Sequence, residues 1–180
     1  MTSSRSTALV DRIAAAIRVV PDFPSPGIMF QDVTPVLGDA ELFRASIAAL
    51  AEPWRAAGVT HVAGIESRGF IFGAPVAVEL GAGFIPIRKP GKLPFELAGQ
   101  DYALEYGTGR LEMHVDACPA SARVLVVDDV LATGGTASAA CALIEGVGGT
   151  VAGCAMFLVI GALGGDQLLA GRRLHVLARV

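Results

Sequence analysis

Apolar residues recur at helical spacing at Leu9, Ile13, Ile17 and Val20, which predicts an amphipathic helix over residues 6–19. Pro21, Pro24, Pro26 and Gly27 then interrupt any regular element, so "PDFPSPGIMFQDVTP" reads as an irregular segment. Helical spacing returns at Leu42, Phe43, Ile47 and Leu50, with Asp39 placed to cap the start. "HVAGI" (61–65) is a short apolar run of strand type, followed by a helical pattern in "GFIFGAPVAVEL" (69–80) and a second strand in "FIPIRK" (84–89). "YALEYGTGRLEMHV" (102–115) alternates about Gly107-Thr108-Gly109 and predicts a hairpin. "RVLVVDD" (123–129) predicts a central strand, 135–145 a helix, and 151–160 and 174–178 two further strands. Alternation of strand and helix along most of the chain predicts an α/β fold with a mainly parallel sheet flanked by helices.

Composition narrows this picture. A chain of 180 residues, 53% hydrophobic and 17% charged, suits one domain over 1–180 with a sizeable core. The net charge is −3, and no lysine–arginine cluster stands out, so a nucleic-acid partner is not expected. Mean hydropathy is high at +0.57. The longest uncharged stretch, Gly146 to Gly165, nevertheless holds seven glycines and reads as turn, buried strand and loop rather than a membrane span. Asp11 and Arg12 break the apolar run near Arg5, so no signal peptide is expected, and a cytoplasmic location follows. Cys118, Cys141 and Cys154 are an odd number without zinc or CxxC spacing, the pattern of buried free thiols in a reducing compartment.

In sheets of this kind ligands gather at the carboxyl ends of strands, where three conspicuous segments fall: Glu66-Ser67-Arg68, Arg88-Lys89, and Asp128 to Thr136. Between strand and helix, Ala132, Thr133, Gly134, Gly135 and Thr136 combine a sharp turn, inward N–H groups, two hydroxyls and a helix N-terminus. That is a cradle for one phosphate. The glycines are followed by no lysine, so it is not a nucleoside-triphosphate loop, nor is it GxGxxG. Asp128 and Asp129 would repel a phosphate, but carboxylates accept hydrogen bonds from hydroxyls. A sugar 5-phosphate satisfies both parts.

The pattern V-V-D-D-x-x-A-T-G-G-T over 126–136 resembles the phosphoribosyl-pyrophosphate signature of the type I phosphoribosyltransferases. "DFPSPGIMFQDVTPVL", "GIESRGFIFGAPVA", "IRKPGKLP" and "LEYGTGRLEMH" are similar, in order and approximate spacing, to the adenine branch of that family, over about residues 20–165. The resemblance implies a type I core with a small N-terminal hood (about 1–35) and a flexible catalytic hairpin or lid (about 95–112). It implies the purine-salvage reaction in which adenine and phosphoribosyl pyrophosphate give AMP and pyrophosphate. Mg²⁺ would be held mainly through the substrate, and the protein would be a homodimer. It assigns ribose hydroxyls to Asp128 and Asp129, and pyrophosphate to Ser67, Arg68, Lys89 and Arg88, the last across a dimer interface. A cis peptide at Glu66-Ser67 is implied as well. Glu105 would be the acid/base on adenine's imidazole edge and Tyr106 part of the lid. Backbone groups near Met29 and Gln31 would meet the base, with Val130 on one ring face and Phe30 in the hood core. Gln31 stands where the family often has Arg or Lys, Val130 where it often has Leu, and Ile160-Gly161 where it usually has an acidic residue. Two alternatives remain open: another purine or pyrimidine base, or a non-catalytic regulator on the same fold.

Overall fold

A computed structural model describes residues 2–103 and 107–180. Its centre is a five-stranded sheet in the order β4-β3-β7-β8-β9, parallel throughout: β3 (His61–Ile65), β4 (Gly83–Ile87), β7 (Arg123–Leu131), β8 (Thr150–Val159) and β9 (Leu174–Arg179). Two antiparallel pairs stand beside it, β1 (Arg18–Pro21) with β2 (Met29–Asp32), and β5 (Leu97–Ala103) with β6 (Thr108–His114). The helices are α1 (Thr2–Ala16), α2 (Thr34–Gly38), α3 (Ala40–Ala51), α4 (Gly69–Leu80) and α5 (Gly135–Gly146).

β7 shows why the sheet is buried on both faces. Successive side chains of a strand point to opposite faces. Val124 and Val126 accordingly pack into one core cluster, and Leu125 and Val127 into the other. The first cluster is completed by α5 (Ala140, Cys141, Ile144) and by Leu111 and Met113 of β6. Ile13 of α1, Leu42 and Leu50 of α3, and Phe72 and Val76 of α4 complete the second. Continuous apolar runs are what a parallel sheet covered by helices requires. Cys118, Cys141 and Cys154 are buried free thiols, as their spacing suggested.

The expected strand 61–65 and helix 69–80 are found at those bounds, and Asp39 caps α3, accepting the N–H groups of Glu41 and Leu42 at 3.0 and 2.9 Å. Two expectations need correction. The first helix ends at Ala16 rather than Val19, because Arg18–Pro21 pairs with Met29–Asp32. Ile17 and Val20 carry helical spacing, yet β-branched Val19 and Val20 sit well in a strand, and the pairing partner lies across the turn. For the same reason the segment 21–35 is not wholly irregular: it contains β2 and the start of α2. The hairpin is present, but its first arm begins at Leu97, with Tyr102 opposite Gly109 and Ala103 opposite Thr108.

The cap of α3 is a clean test of this local reading. Asp39→Ala removes the acceptor for two otherwise unpaired N–H groups and should lower unfolding free energy by about 1 kcal/mol in denaturant titrations. A loss below about 0.3 kcal/mol would show that the cap contributes nothing beyond solvation.

Candidate active site

The carboxyl ends of β3, β4 and β7 converge on a cleft of about 940 Å³ that the β1–β2 pair and the β5–β6 hairpin also line. Met29, Gln31, Ser67, Arg68, Lys89, Asp128, Asp129, Val130, Ala132 and Thr136 all line it, so residues far apart in sequence meet there. Thr133, Gly134 and Gly135 complete the loop without lining the cleft; Thr133 is exposed and Gly134 buried. Glu105 and Tyr106 lie outside the described residues.

The loop at the end of β7 is shaped by Gly134, which caps α5 with φ 86° and ψ −9°. This left-handed conformation is strained for residues with a Cβ. It leads the chain directly into α5, whose first turn supplies N–H groups without intrahelical partners. The hairpin sits close by: a Cβ on Gly135 would lie 3.2 Å from the Ala103 carbonyl oxygen.

The acids occupy different surroundings. Asp129 is buried at 5% exposure, and Arg68 Nε approaches its Oδ2 to 2.5 Å, as an ion pair without hydrogen-bond alignment. Asp128 is half-buried and accepts the Asp129 N–H at 2.9 Å. Burial, and then the neighbouring Asp129 charge, push the Asp128 carboxyl well above the usual carboxylate range; Arg68 offsets this only in part. Arg68 also lies over the Phe30 ring, 5.0 Å from its centre, and Phe30 meets Phe23 edge-on at 5.1 Å. The β1–β2 pair is thereby tied to the strand ends, and Phe30, half-buried, also lines the cleft.

The Glu66-Ser67 peptide is cis. Glu66 Oε2 accepts from Arg88 Nε at 3.0 Å and from the Lys89 N–H at 3.1 Å, joining the ends of β3 and β4. Burial works against the Glu66 carboxylate, yet these donors together hold it below its ordinary range. Arg88 faces Glu66, the Lys92 carbonyl and the Phe70 ring, and does not line the cleft. In β2, Gln31 Nε2 reaches back to the Met29 carbonyl at 3.3 Å, while its Oε1 is buried without a partner.

Several lining residues escape the sequence reading: Tyr102, Arg110, Ile160 and Leu163. For Tyr102 and Arg110 a signal exists in the alternation of the hairpin, since both fall on its arms. Ile160 and Leu163 follow an apolar strand and carry no chemical mark, and only the threading of β8 beside β7 brings them in. No group of three or more His, Cys, Asp or Glu side chains able to hold a metal occurs among the described residues. Among them, too, no helix is long and apolar enough to cross a membrane.

A parallel sheet with a glycine-bearing turn and paired acids at one strand end defines the class, and comparison with known proteins agrees. The phosphoribosyl transferase domain family matches residues 37–166, and the chain belongs to that family. The chain is 53% identical to the adenine phosphoribosyltransferase of Methylococcus capsulatus over 168 residues, covering 93% of this chain and 98% of the relative. The crystal structure of adenine phosphoribosyltransferase from Rhodothermus marinus superposes with a TM-score of 0.93 at 49% identity, covering 97% of this chain and 99% of that one. The Saccharomyces cerevisiae enzyme, solved with an imino-altritol bisphosphate and adenine, gives 0.89 at 35% identity, with 95% and 99% covered.

The state of Asp128 makes a prediction whose sign can be worked out. Its folded pKa is raised, so the folded chain binds the proton more tightly than the unfolded chain, and stability falls as pH rises above the unfolded carboxylate value of about 3.9. Asp128→Asn keeps the Oδ1 acceptor and removes the charge. It should raise the thermal midpoint at pH 7 by roughly 2–4 °C, what about 1 kcal/mol gives in a chain of this size. The gain should shrink towards pH 4, and ribose 5-phosphate binding should weaken. A lower midpoint at pH 7 would mean that the charge stabilises the fold.

Proposed function

We propose that this protein transfers the 5-phosphoribosyl group from phosphoribosyl pyrophosphate to adenine, giving AMP and pyrophosphate. The reading is carried by one observation: Ala132 and Thr136 at the two ends of the loop, the two acids, Arg68, Lys89, Met29 and Gln31 line one cleft. The 5-phosphate takes the N–H groups of the loop and the first turn of α5. Asp128 and Asp129 accept the ribose hydroxyls, which fixes the sugar with C1′ towards the hood.

As the bond from C1′ to pyrophosphate lengthens, negative charge grows on the leaving oxygens. Arg68 and Lys89 face that charge, and the backbone at Ser67 adds its donor. Arg88 joins them when a second copy of the protein presents it across a homodimer interface. Two adjacent acids, without a third carboxylate grouped with them among the described residues, suit Mg²⁺ held chiefly through substrate oxygens. When bound, the ion neutralises pyrophosphate charge. The hairpin acts as a lid over residues 95–112, carrying Tyr106, and excludes the water that would hydrolyse the activated sugar. Glu105 handles the proton of adenine's imidazole edge as the base nitrogen attacks C1′. The protein works in the cytoplasm.

Adenine offers a donor at its 6-amino group and an acceptor at N1, whereas hypoxanthine reverses both. A backbone carbonyl and a backbone N–H near Met29 and Gln31 match adenine and meet hypoxanthine with like against like. Two unpaired desolvated groups at about 1–3 kcal/mol each give roughly a hundredfold discrimination or more. The Gln31 side chain is occupied with the Met29 carbonyl, which suits a backbone reader.

The test is a panel of adenine, hypoxanthine and guanine with phosphoribosyl pyrophosphate and Mg²⁺, read as nucleotide formed. Adenine should be preferred by about a hundredfold in kcat/KM, and Gln31→Ala should leave that ratio nearly unchanged. Efficient use of hypoxanthine or guanine would overturn the base assignment, and failure to form any nucleotide would overturn the enzyme. For the acid/base role, Glu105→Gln should lower kcat more than it raises KM for adenine; the reverse split would make Glu105 a binding residue.

A further inference from the structure

The strand β8 leaves the sheet at Val159, and the polypeptide then folds through two short turns, Gly161–Leu163 and Gln167–Leu169, before β9. The connection is pinned at several points. The Ile160 N–H donates to the Leu131 carbonyl at 2.9 Å, and the Gly161 N–H to the Val180 carbonyl at 2.8 Å. The Gln167 N–H donates to the Gly164 carbonyl at 3.0 Å, and Arg179 pairs with Asp166 at 3.4 Å. Between these anchors the buried Gly165 runs against the anion loop, backbone to backbone. A Cβ on Gly165 would lie 2.1 Å from the Ala132 carbonyl oxygen and 2.8 Å from the Gly134 nitrogen. From the other side, a Cβ on Gly134 would lie 2.3 Å from the Gly165 carbonyl oxygen. Backbone groups cannot swing away as a flexible side chain does, so neither position has room for a methyl group unless the loop moves.

We infer that Gly165 is a positioning residue for the anion loop: it is the template against which Ala132–Gly135 is folded, and it sets the direction of the N–H groups that meet the phosphate. The inference rests on reading that loop as the 5-phosphate site. Gly165 does not line the cleft and touches no substrate in this reading. The three nearest atoms that a Cβ on Gly165 would meet all belong to the loop. A methyl group there should therefore damage phosphate binding selectively.

The decisive comparison is calorimetric binding of AMP and of adenosine to the unmodified protein, Gly165→Ala and Gly161→Ala. The unmodified protein should bind AMP more tightly than adenosine. Gly165→Ala should lose about tenfold or more in AMP affinity, the scale of one misdirected hydrogen bond to a charged group, and keep its adenosine affinity within about twofold. Gly161→Ala serves as control on the same segment, because a Cβ there meets its nearest atoms at an ordinary 3.5 Å. It should bind both ligands as the unmodified protein does. Unchanged AMP affinity in Gly165→Ala would overturn the inference, and so would equal losses for AMP and adenosine, the mark of general disruption. If the unmodified protein itself fails to distinguish AMP from adenosine, the phosphate reading of the loop falls instead. Should Gly165→Ala not fold by circular dichroism, hydrogen exchange on the unmodified protein with ribose 5-phosphate decides. Slowing at 164–166 together with 132–136 supports the template role, and slowing at 132–136 alone overturns it.

Discussion

The end of β7 is tightly constrained, because α4 begins directly against it. A Cβ on Gly69 would lie 2.6 Å from Asp128 Oδ1 and 3.1 Å from the Val127 carbonyl oxygen. The first turn of α4 can therefore press on the strand only with a glycine there. That contact fixes the Asp128 side chain in a half-buried position, where its charge is disfavoured. It also sets the height of Arg68, one residue earlier, beside Asp129. Two acids held side by side are unstable by themselves, and what makes them tolerable is the cation that the same helix start delivers. The placement of the two acids and of the arginine beside them is thus one packing event.

The rest of the fold keeps that event in register. β7 is paired on both sides, with β3 through Val124–Val127 and with β8 along nearly its whole length. Its side chains enter both core clusters, so it cannot slide or tilt without opening one of them. Arg68, Lys89 and the turn at Ala132–Gly134 lie just beyond the strand ends, where the backbone is free to adopt a left-handed residue at Gly134 or a cis peptide at Glu66-Ser67. A rigid parallel sheet with irregular strand ends is a general solution to placing several ligands at one edge.

How far this is legible in the sequence depends on the range of the interaction. α4 and β3 are readable to the residue, because their signals are local: an apolar run bounded by polar residues, and a helical period closed by glycine. The cap at Asp39 is local as well. β1 and β2 escape such a reading because each is four residues long and acquires its structure from a partner across a proline-rich turn. The acids, the loop and the arginine are legible as chemistry, since carboxylates and a Thr-Gly-Gly-Thr turn at strand ends have few other uses. Gly165 is invisible, because its importance lies in having no side chain beside a backbone some thirty positions away. Arg88 stands out for its charge, but the partner it meets in the folded protein, Glu66, depends on the β3–β4 pairing rather than on any motif.

The strand ends also balance their own charge. Asp129 holds Arg68, and Glu66 holds Arg88. A polyanionic substrate must compete for these cations. The cost is moderate where the arginine is exposed to water: Arg68 is 36% and Arg88 31% exposed in its side chain, so solvent screens both pairs. For Asp129 the case differs, because it is buried at 5% exposure and loses its counter-charge if Arg68 turns to pyrophosphate. Something must replace that cation, and in the proposed reaction ribose hydroxyls, donating their hydrogen bonds, arrive with the same substrate. Under the proposed roles, sugar and pyrophosphate would be coupled through one carboxylate: the hydroxyls would satisfy Asp129 as the arginine is released to the leaving group. Free pyrophosphate would draw on Arg68 and leave Asp129 unpaired, and ribose 5-phosphate would satisfy Asp129 but give Arg68 no new partner. The whole substrate meets both needs at once, which favours its binding over that of either half.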